Sequence, residues 1–102
     1  MMVQNFTQVR ERVIERLADI TVVQSARIDE ATEIYQDLRV SGWDLWDFLG
    51  WVCAEFGTDF SAMNISKYSP GEGAQLFAGT YRSLTVGAVL NAISRGSWTE
   101  TG

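Results

Sequence analysis

The stretch 37-DLRVSGWDLWDFLGWVCAEFG-57 decides the fold of this chain. Helix geometry rotates successive residues by about 100°, and this rotation collects one set of apolar side chains on a single face: Leu45, Phe48, Leu49, Val52 and Phe56. Gly57 follows this set, where a helix-terminating glycine is expected. The pattern predicts a helix over residues 42–56 that buries one face.

Three tryptophans of this helix point away from its apolar face. Measured from the centre of that face, Trp46 lies about 100° round, Trp43 about 160° round and Trp51 about 120° in the other direction. Large aromatic side chains that flank small residues on an outer face indicate a contact site. The alternative is that long loops fold over the three rings and bury them. The sequence leaves both interpretations open.

Further helices are expected on both sides of this stretch. Residues 5–20 predict a helix that begins after the capping residue Asn5 and carries an apolar stripe, consisting of Phe6, Val9, Val13, Leu17 and Ile20. The pattern over residues 85–95 predicts a last helix, capped by Thr85 and ended by Gly96. Its apolar stripe consists of Val86, Val89, Leu90 and Ile93. A short helix is expected over residues 61–68.

Long connections join these helices, including residues 21–41, in which we expect at most one short helical turn. The chain of 102 residues has room for one domain. The sequence therefore predicts a single all-α domain over residues 1–102, an irregular bundle of three or four helices with long connecting loops.

Composition excludes several chemistries. The chain has no histidine and a single cysteine, Cys53, which removes histidine-dependent triads, disulfides and most zinc sites. It contains no glycine-rich phosphate loop and no evident pair of nucleophile and base. We therefore expect neither an enzyme nor a metal-binding protein.

Charge and hydropathy narrow the choice of partner. The net charge is −5, which disfavours nucleic acid. No apolar run reaches the roughly 20 residues of a membrane span, and the N-terminus lacks the pattern of a signal peptide. We expect a cytoplasmic protein that binds neither nucleic acid nor membrane.

The middle of the chain is its most acidic part. Between residues 29 and 59, eight acidic residues stand against one basic residue, Arg39. Such a surface suits a basic protein partner. It is equally what solubility alone would select.

The order and spacing of three segments resemble a known family. From Asp37-Leu38 to Glu55-Phe56-Gly57, the chain aligns without a gap with a signature in which Asp-Leu-Gly-x-Asp-Ser-Leu opens a helix that ends in Glu-Glu-Phe-Gly. Upstream, 28-IDEATEIYQDL-38 resembles the loop before that signature; downstream, 84-LTVG-87 resembles the Thr-Val-Gly at the start of the last helix. These are features of the acyl carrier protein family, and the resemblance spans residues 6–96.

The resemblance implies an acyl-carrier-like fold whose second helix docks basic partners. In that family, a serine at the head of this helix carries phosphopantetheine. Gly42 stands at the position of that serine, and Ser41 stands one residue before it. A one-residue slip would make Ser41 the attachment point, but it would rotate the apolar face by about 100°. We therefore interpret the phosphopantetheine site as degenerate, and Ser41 as a helix cap.

Three functions remain open. The chain looks most like short bacterial cytoplasmic proteins that share this pattern, lack the modified serine and have no assigned activity. In the first interpretation it is a non-enzymatic interaction module without a cofactor. This module would dock a protein with a basic or partly apolar surface through the second helix, at Trp43, Asp44, Trp46, Asp47 and Trp51. In the second it is an acyl or aminoacyl carrier, phosphopantetheinylated at Ser41. In the third it is a structural subunit that forms a homodimer.

Overall fold

The structure is a computed structural model that describes residues 5–64, 68 and 83–99. Three α-helices form its framework: α1 (Phe6–Ile20), α2 (Trp43–Phe56) and α3 (Val86–Arg95). A single 3-10 turn, Ser25–Arg27, interrupts the connection between α1 and α2. The described ranges contain no strand, only two isolated bridges. The predicted all-α class is confirmed. No helix in these ranges has the length and apolar character needed to cross a membrane.

Helix α1 begins where the sequence predicted. The side chain of Asn5 accepts a hydrogen bond from the backbone N–H of Gln8 at 2.8 Å, which satisfies one of the free donors of the first turn. The predicted stripe is wrong at its two ends, because Phe6 and Ile20 are exposed and extend past the core. Ile14 joins the buried residues, which are Val9, Val13, Ile14 and Leu17.

Helix α2 buries the face that the sequence predicted. Its buried residues are Leu45, Phe48, Leu49 and Val52, and Phe56 packs half-buried against them. Gly57 ends the helix in the left-handed conformation, with φ 69°, and donates its N–H to the carbonyl of Cys53. Glycine adopts this conformation without the steric cost that other residues incur.

Helix α3 also follows its predicted signals. The Thr85 side chain accepts from the Ala88 N–H at 3.1 Å, and Gly96 ends the helix with φ 86°. The buried residues are Val86, Val89, Leu90 and Ala92, whereas Ile93 is only half-buried.

The long connection before α2 is tied to the start of α3 by backbone hydrogen bonds. Ile34 donates to Leu84 at 2.8 Å, and Val86 donates to Thr32 at 3.0 Å. The connection also contributes buried side chains to the core, namely Ile28, Ile34, Leu38 and Val40. These contacts fix the point at which the chain enters α2.

The segment after α2 is held by the C-terminal tail. Trp98 donates its backbone N–H to the carbonyl of Asp59 at 2.8 Å, and its ring lies against those of Phe60 and Tyr68. The sequence predicted a short helix over residues 61–68. Residues 61–64 form a turn instead, in which Met63 donates its N–H to the carbonyl of Phe60. Residues 65–67 lie outside the described residues.

Candidate functional site

Backbone groups, and no side chain, form the hydrogen bonds at the N-terminus of α2. The carbonyl of Ser41 accepts from the N–H of Asp44 at 3.1 Å, and the N-cap residue is Gly42, which offers no side chain. The expectation that the Ser41 side chain caps the helix was therefore wrong. The helix begins one residue later than that role requires, so the hydroxyl of Ser41 does not serve as the cap.

Gly42 adopts a backbone conformation that excludes other residues. Its φ is 57° and its ψ is −128°, a combination that lies outside the regions open to residues with a Cβ. A serine at this position would be strained, although an added Cβ would meet no atom within 4 Å. The backbone itself therefore selects glycine at the position where the resemblance places the modified serine.

Two of the three tryptophans are exposed. Trp43 is 71% exposed and Trp46 is 58% exposed. Both lie in the first half of α2. The interpretation in which loops bury these rings is wrong for Trp43 and Trp46, because water reaches most of each side chain.

Trp51 lies in a different environment. Its ring stacks on Phe48 at a centroid distance of 6.2 Å and meets the edge of Phe56 at 5.7 Å. The guanidinium carbon of Arg16, on α1, lies 5.4 Å from the ring centroid of Trp51, within the range of a cation–π interaction. The structure places Trp51 in the packing between α1 and α2, apart from the two exposed rings.

The acidic residues of the central segment divide into two groups. Glu30 pairs with Arg10, and Glu55 pairs with Arg12. The hydrogen bond from Arg10 holds the pKa of the Glu30 carboxyl below its ordinary value. Three further side chains accept backbone N–H groups of residues close in the sequence: Asp29, Asp37 and Asp59.

The second group has no partner among the described side chains. Among the described residues, Glu33, Asp44 and Asp47 form no ion pair and no side-chain hydrogen bond. Asp44 and Asp47 are exposed and alternate with Trp43 and Trp46 along α2. Asp44 also stands in the first turn of the helix, where a negative charge is favoured by the helix dipole. Four of the five predicted docking residues thus lie exposed in the first half of α2.

An apolar groove beside Trp46 was missed by sequence reasoning. It has a volume of about 290 Å³, and its lining consists of Trp46, Leu49, Gly50, Cys53, Phe60, Ser61 and Met63. Cys53 is exposed there, although a free cysteine is more often buried. The wall formed by α2 could have been predicted, because its residues follow the i, i+3, i+4, i+7 spacing of one helix face. The other wall comes from the turn at residues 60–63, whose position depends on tertiary contacts.

The described residues hold no group of three side chains placed to bind a metal ion. No family model, curated protein or solved structure significantly matches this chain. The functional interpretation therefore depends on the surface of α2.

Proposed function

We propose that this chain is a non-enzymatic, acyl-carrier-like interaction module that docks a protein partner through α2. The observation that carries this proposal is the exposure of Trp43 and Trp46 next to the free carboxylates of Asp44 and Asp47. The partner would present a surface that is basic and partly apolar. Phosphopantetheine plays no part in this function.

The two exposed rings supply the binding energy in this proposal. A fully buried tryptophan removes roughly 150–250 Å² from water. Since Trp43 and Trp46 are 71% and 58% exposed, burial of the area that remains corresponds to about 2–4 kcal/mol per ring at about 25 cal/mol per Å². Gains of this size are needed to offset the loss of freedom on association. Trp43 and Trp46 therefore suit the role of central anchors in an interface.

The carboxylates of Asp44 and Asp47 orient the partner in this proposal. Because Asp44 and Asp47 are not neutralised within the described structure, they are available to attract a basic surface and to orient it. The other acids of the central segment are already engaged, with the exception of Glu33. We therefore expect the charge of α2 to influence the rate of association and its dependence on salt.

The acyl-carrier-like part of the proposal has separate support. The chain has a long connection between its first two helices, a glycine-terminated α2, and an α3 that begins with Thr85-Val86-Gly87. This order agrees with the resemblance seen in the sequence. The glycine-selecting backbone at Gly42 favours a module that has lost the modification over a working carrier.

A cross-linking experiment tests the docking surface. A photoreactive phenylalanine analogue at the exposed position 50 of α2, which keeps all four docking side chains, would capture the partner in a host extract, and mass spectrometry would identify it. The affinity of the purified partner is then measured for the double variants Trp43→Ala/Trp46→Ala and Asp44→Asn/Asp47→Asn. We expect the first variant to weaken binding by roughly tenfold or more. We expect the second to weaken it less and to flatten its salt dependence.

Two variants on α1 serve as matched controls. Phe6→Ala removes an exposed aromatic side chain, and Asp19→Asn removes an exposed carboxylate; neither belongs to the α2 surface. Both should bind the partner as the wild type does. Full binding by a folded Trp43→Ala/Trp46→Ala variant would contradict the proposal. A dimer that dissociates in this variant would show that the surface pairs with a second copy.

A second candidate function is that of a carrier modified at Ser41. The observation that favours it is that Ser41 is only half-buried, and that its hydroxyl forms no hydrogen bond with a described residue. Incubation with a phosphopantetheinyl transferase and coenzyme A, followed by intact-mass measurement, tests this role, with Ser41→Ala as the control. A pantetheine adduct that disappears in Ser41→Ala would replace the main proposal.

A further inference from the structure

The exposed face of α2 carries an aromatic ring and a carboxylate one helical turn apart, Trp43 and Asp47. We infer that together they bind an arginine side chain of the partner, whose guanidinium stacks on the indole ring and donates hydrogen bonds to the carboxylate. This inference rests on the proposed function, because it names the residue type that the docking surface recognises. Three observations support it: the spacing of the two side chains, the exposure of both, and the way in which α2 already receives an arginine from α1.

Trp43 and Asp47 lie on the same strip of the surface of α2. Residues four apart are neighbours on a helix, with Cβ atoms about 5–6 Å from each other. Because helical side chains lean toward the N-terminus, the carboxylate of Asp47 leans toward the ring of Trp43. Asp44 lies about 100° round the helix from Trp43 and is outside this strip. One flat cation can therefore contact the ring of Trp43 and the carboxylate of Asp47 together.

Both side chains are open to a partner. Trp43 is 71% exposed, and Asp47 is exposed as well. Among the described residues, no cation lies over the ring of Trp43 and no basic side chain pairs with Asp47. Gly50 and Ala54, both exposed, continue the same strip. Because neither has a long side chain, a partner can approach the helix closely here.

The side of α2 that faces α1 shows how this helix receives an arginine. Arg12 of α1 pairs with Glu55, and its guanidinium carbon lies 5.6 Å from the ring centroid of Phe56. A single guanidinium thus contacts a carboxylate and an aromatic ring of α2 at the same time. Trp43 and Asp47 repeat this combination of ring and carboxylate on the exposed face, where no described residue supplies the arginine.

Arginine fits this site better than lysine does. A guanidinium is planar and weakly hydrated, so it can lie flat on an indole ring while its N–H groups, which point outward in the same plane, reach a carboxylate beside the ring. A lysine ammonium is a compact and strongly hydrated point charge, which meets only one of these demands well. The carboxylate of Asp47 attracts both cations. The ring of Trp43 therefore sets the preference for arginine.

Three helical peptides test this preference. The first is an alanine-based helix with arginines spaced i and i+4. The second replaces every arginine by lysine, which keeps the charge, and the third replaces every arginine by citrulline, which keeps the shape and removes the charge. Fluorescence anisotropy measures the affinity of each labelled peptide for the full chain. We expect the arginine peptide to bind roughly fivefold or more tightly than the lysine peptide, and the citrulline peptide to bind least.

Matched variants assign the preference to the two residues. In Trp43→Leu the arginine and lysine peptides should bind equally, because the stacking surface is gone. In Trp46→Leu, which removes the second exposed ring of α2, the preference should persist. Asp47→Asn should weaken binding of the arginine peptide by roughly threefold or more. Asp19→Asn, which makes the same charge change at an exposed site on α1, should leave it unchanged.

The outcomes separate this inference from the proposed function. Equal binding of the arginine and lysine peptides by the wild type would overturn the arginine site, and so would a preference for arginine that persists in Trp43→Leu. A loss of affinity for both peptides in Trp43→Ala/Trp46→Ala would then still support the docking surface. Unchanged binding of the arginine peptide by this double variant, or no binding by the wild type at millimolar concentration, would also overturn the arginine site. The docking surface fails only if the partner captured by cross-linking binds the double variant fully.

Discussion

The backbone N–H of Gly87 donates to the carbonyl oxygen of Glu30 at 2.9 Å, and a Cβ at Gly87 would lie 3.1 Å from that same oxygen. The start of α3 therefore approaches the long connection as closely as a residue without a side chain allows. The oxygen cannot retreat without lengthening the hydrogen bond that it accepts. This contact gives a physical reason for the glycine after Thr85-Val86.

Alanine substitutions at two helical glycines should have opposite effects on stability. Gly87→Ala forces the Glu30 carbonyl away, and we expect it to lower the free energy of unfolding by about 1–2 kcal/mol, a typical cost of overpacking. Gly50→Ala meets no neighbour and should raise it by about 1 kcal/mol through helix propensity. Urea unfolding followed by circular dichroism measures both. Equal shifts in the two variants would contradict the close contact at Gly87.

The head of α2 provides a second comparison. Gly42→Ser introduces a side chain at φ 57° and ψ −128°, and we expect a loss of about 1–3 kcal/mol. Ser41→Ala should change stability by less than about 0.5 kcal/mol, because its side chain does not cap the helix. Thr85→Ala, which removes an observed cap, should cost about 1 kcal/mol. A Gly42→Ser variant as stable as the wild type would show that this position tolerates the serine.

The tryptophans of α2 should differ in their contribution to stability. Trp51→Ala removes the contacts with Phe48 and Phe56 and the cation–π partner of Arg16, and we expect a loss of about 2–4 kcal/mol. Trp43→Ala removes a largely exposed ring and should cost less than about 0.5 kcal/mol. Thermal unfolding compares them. A similar loss in both variants would indicate that Trp43 also packs on the fold.

The fold could be predicted where local signals agree. Asn5, Gly57, Thr85 and Gly96 each combine a residue type with a position in the apolar pattern, and all four mark helix ends in the structure. The ends of the α1 stripe could not be predicted, because the exposure of Phe6 depends on how far the core extends.

The candidate site could be predicted only in part from the sequence. Angles around a helix place Trp43 and Trp46 on the outside, but they also placed Trp51 there. Trp51 is half-buried, because its ring contacts Phe48 and Phe56 on its own helix and Arg16 on α1. The groove needs the turn at residues 60–63 to lie beside α2, which is a tertiary relationship with no local signature. The sequence likewise does not show that Asp44 and Asp47 have no ion-pair partner among the described residues, because ion pairs depend on tertiary contacts.

The pair of Arg10 and Glu30 should make stability depend on acid pH. The pKa of Glu30 is lowered in the folded chain, first by the hydrogen bond from Arg10. A carboxyl with a lowered pKa stabilises the fold above its unfolded pKa, about 4.3, and loses this contribution as the pH falls through the folded value. The wild type should therefore exceed Glu30→Gln in stability at pH 7, and the difference should vanish well below about pH 4.3.

Urea midpoints between pH 7 and about pH 3 measure this difference. Glu15→Gln is the matched control, because the exposed Glu15 carboxylate forms no ion pair with a described residue. A difference between wild type and Glu30→Gln that persists unchanged at the lowest pH would contradict an electrostatic role for the pair.

Thr32 and Thr58, both buried, should respond in opposite directions to substitution by valine. Thr58 is fully buried, and its hydroxyl has no hydrogen-bond partner in the part of the chain that the structure describes. Thr32 is also buried, but its hydroxyl accepts from the Asp29 N–H at 2.9 Å and donates to the Asp29 carboxylate at 3.3 Å. A buried hydroxyl without a partner costs free energy, so Thr58→Val should raise the free energy of unfolding by about 1 kcal/mol. Thr32→Val leaves the Asp29 N–H without its acceptor and should lower the free energy of unfolding by about 1–2 kcal/mol. Chemical unfolding of the two variants under the same conditions gives the comparison, and a loss of stability in Thr58→Val would mean that its hydroxyl is satisfied in solution.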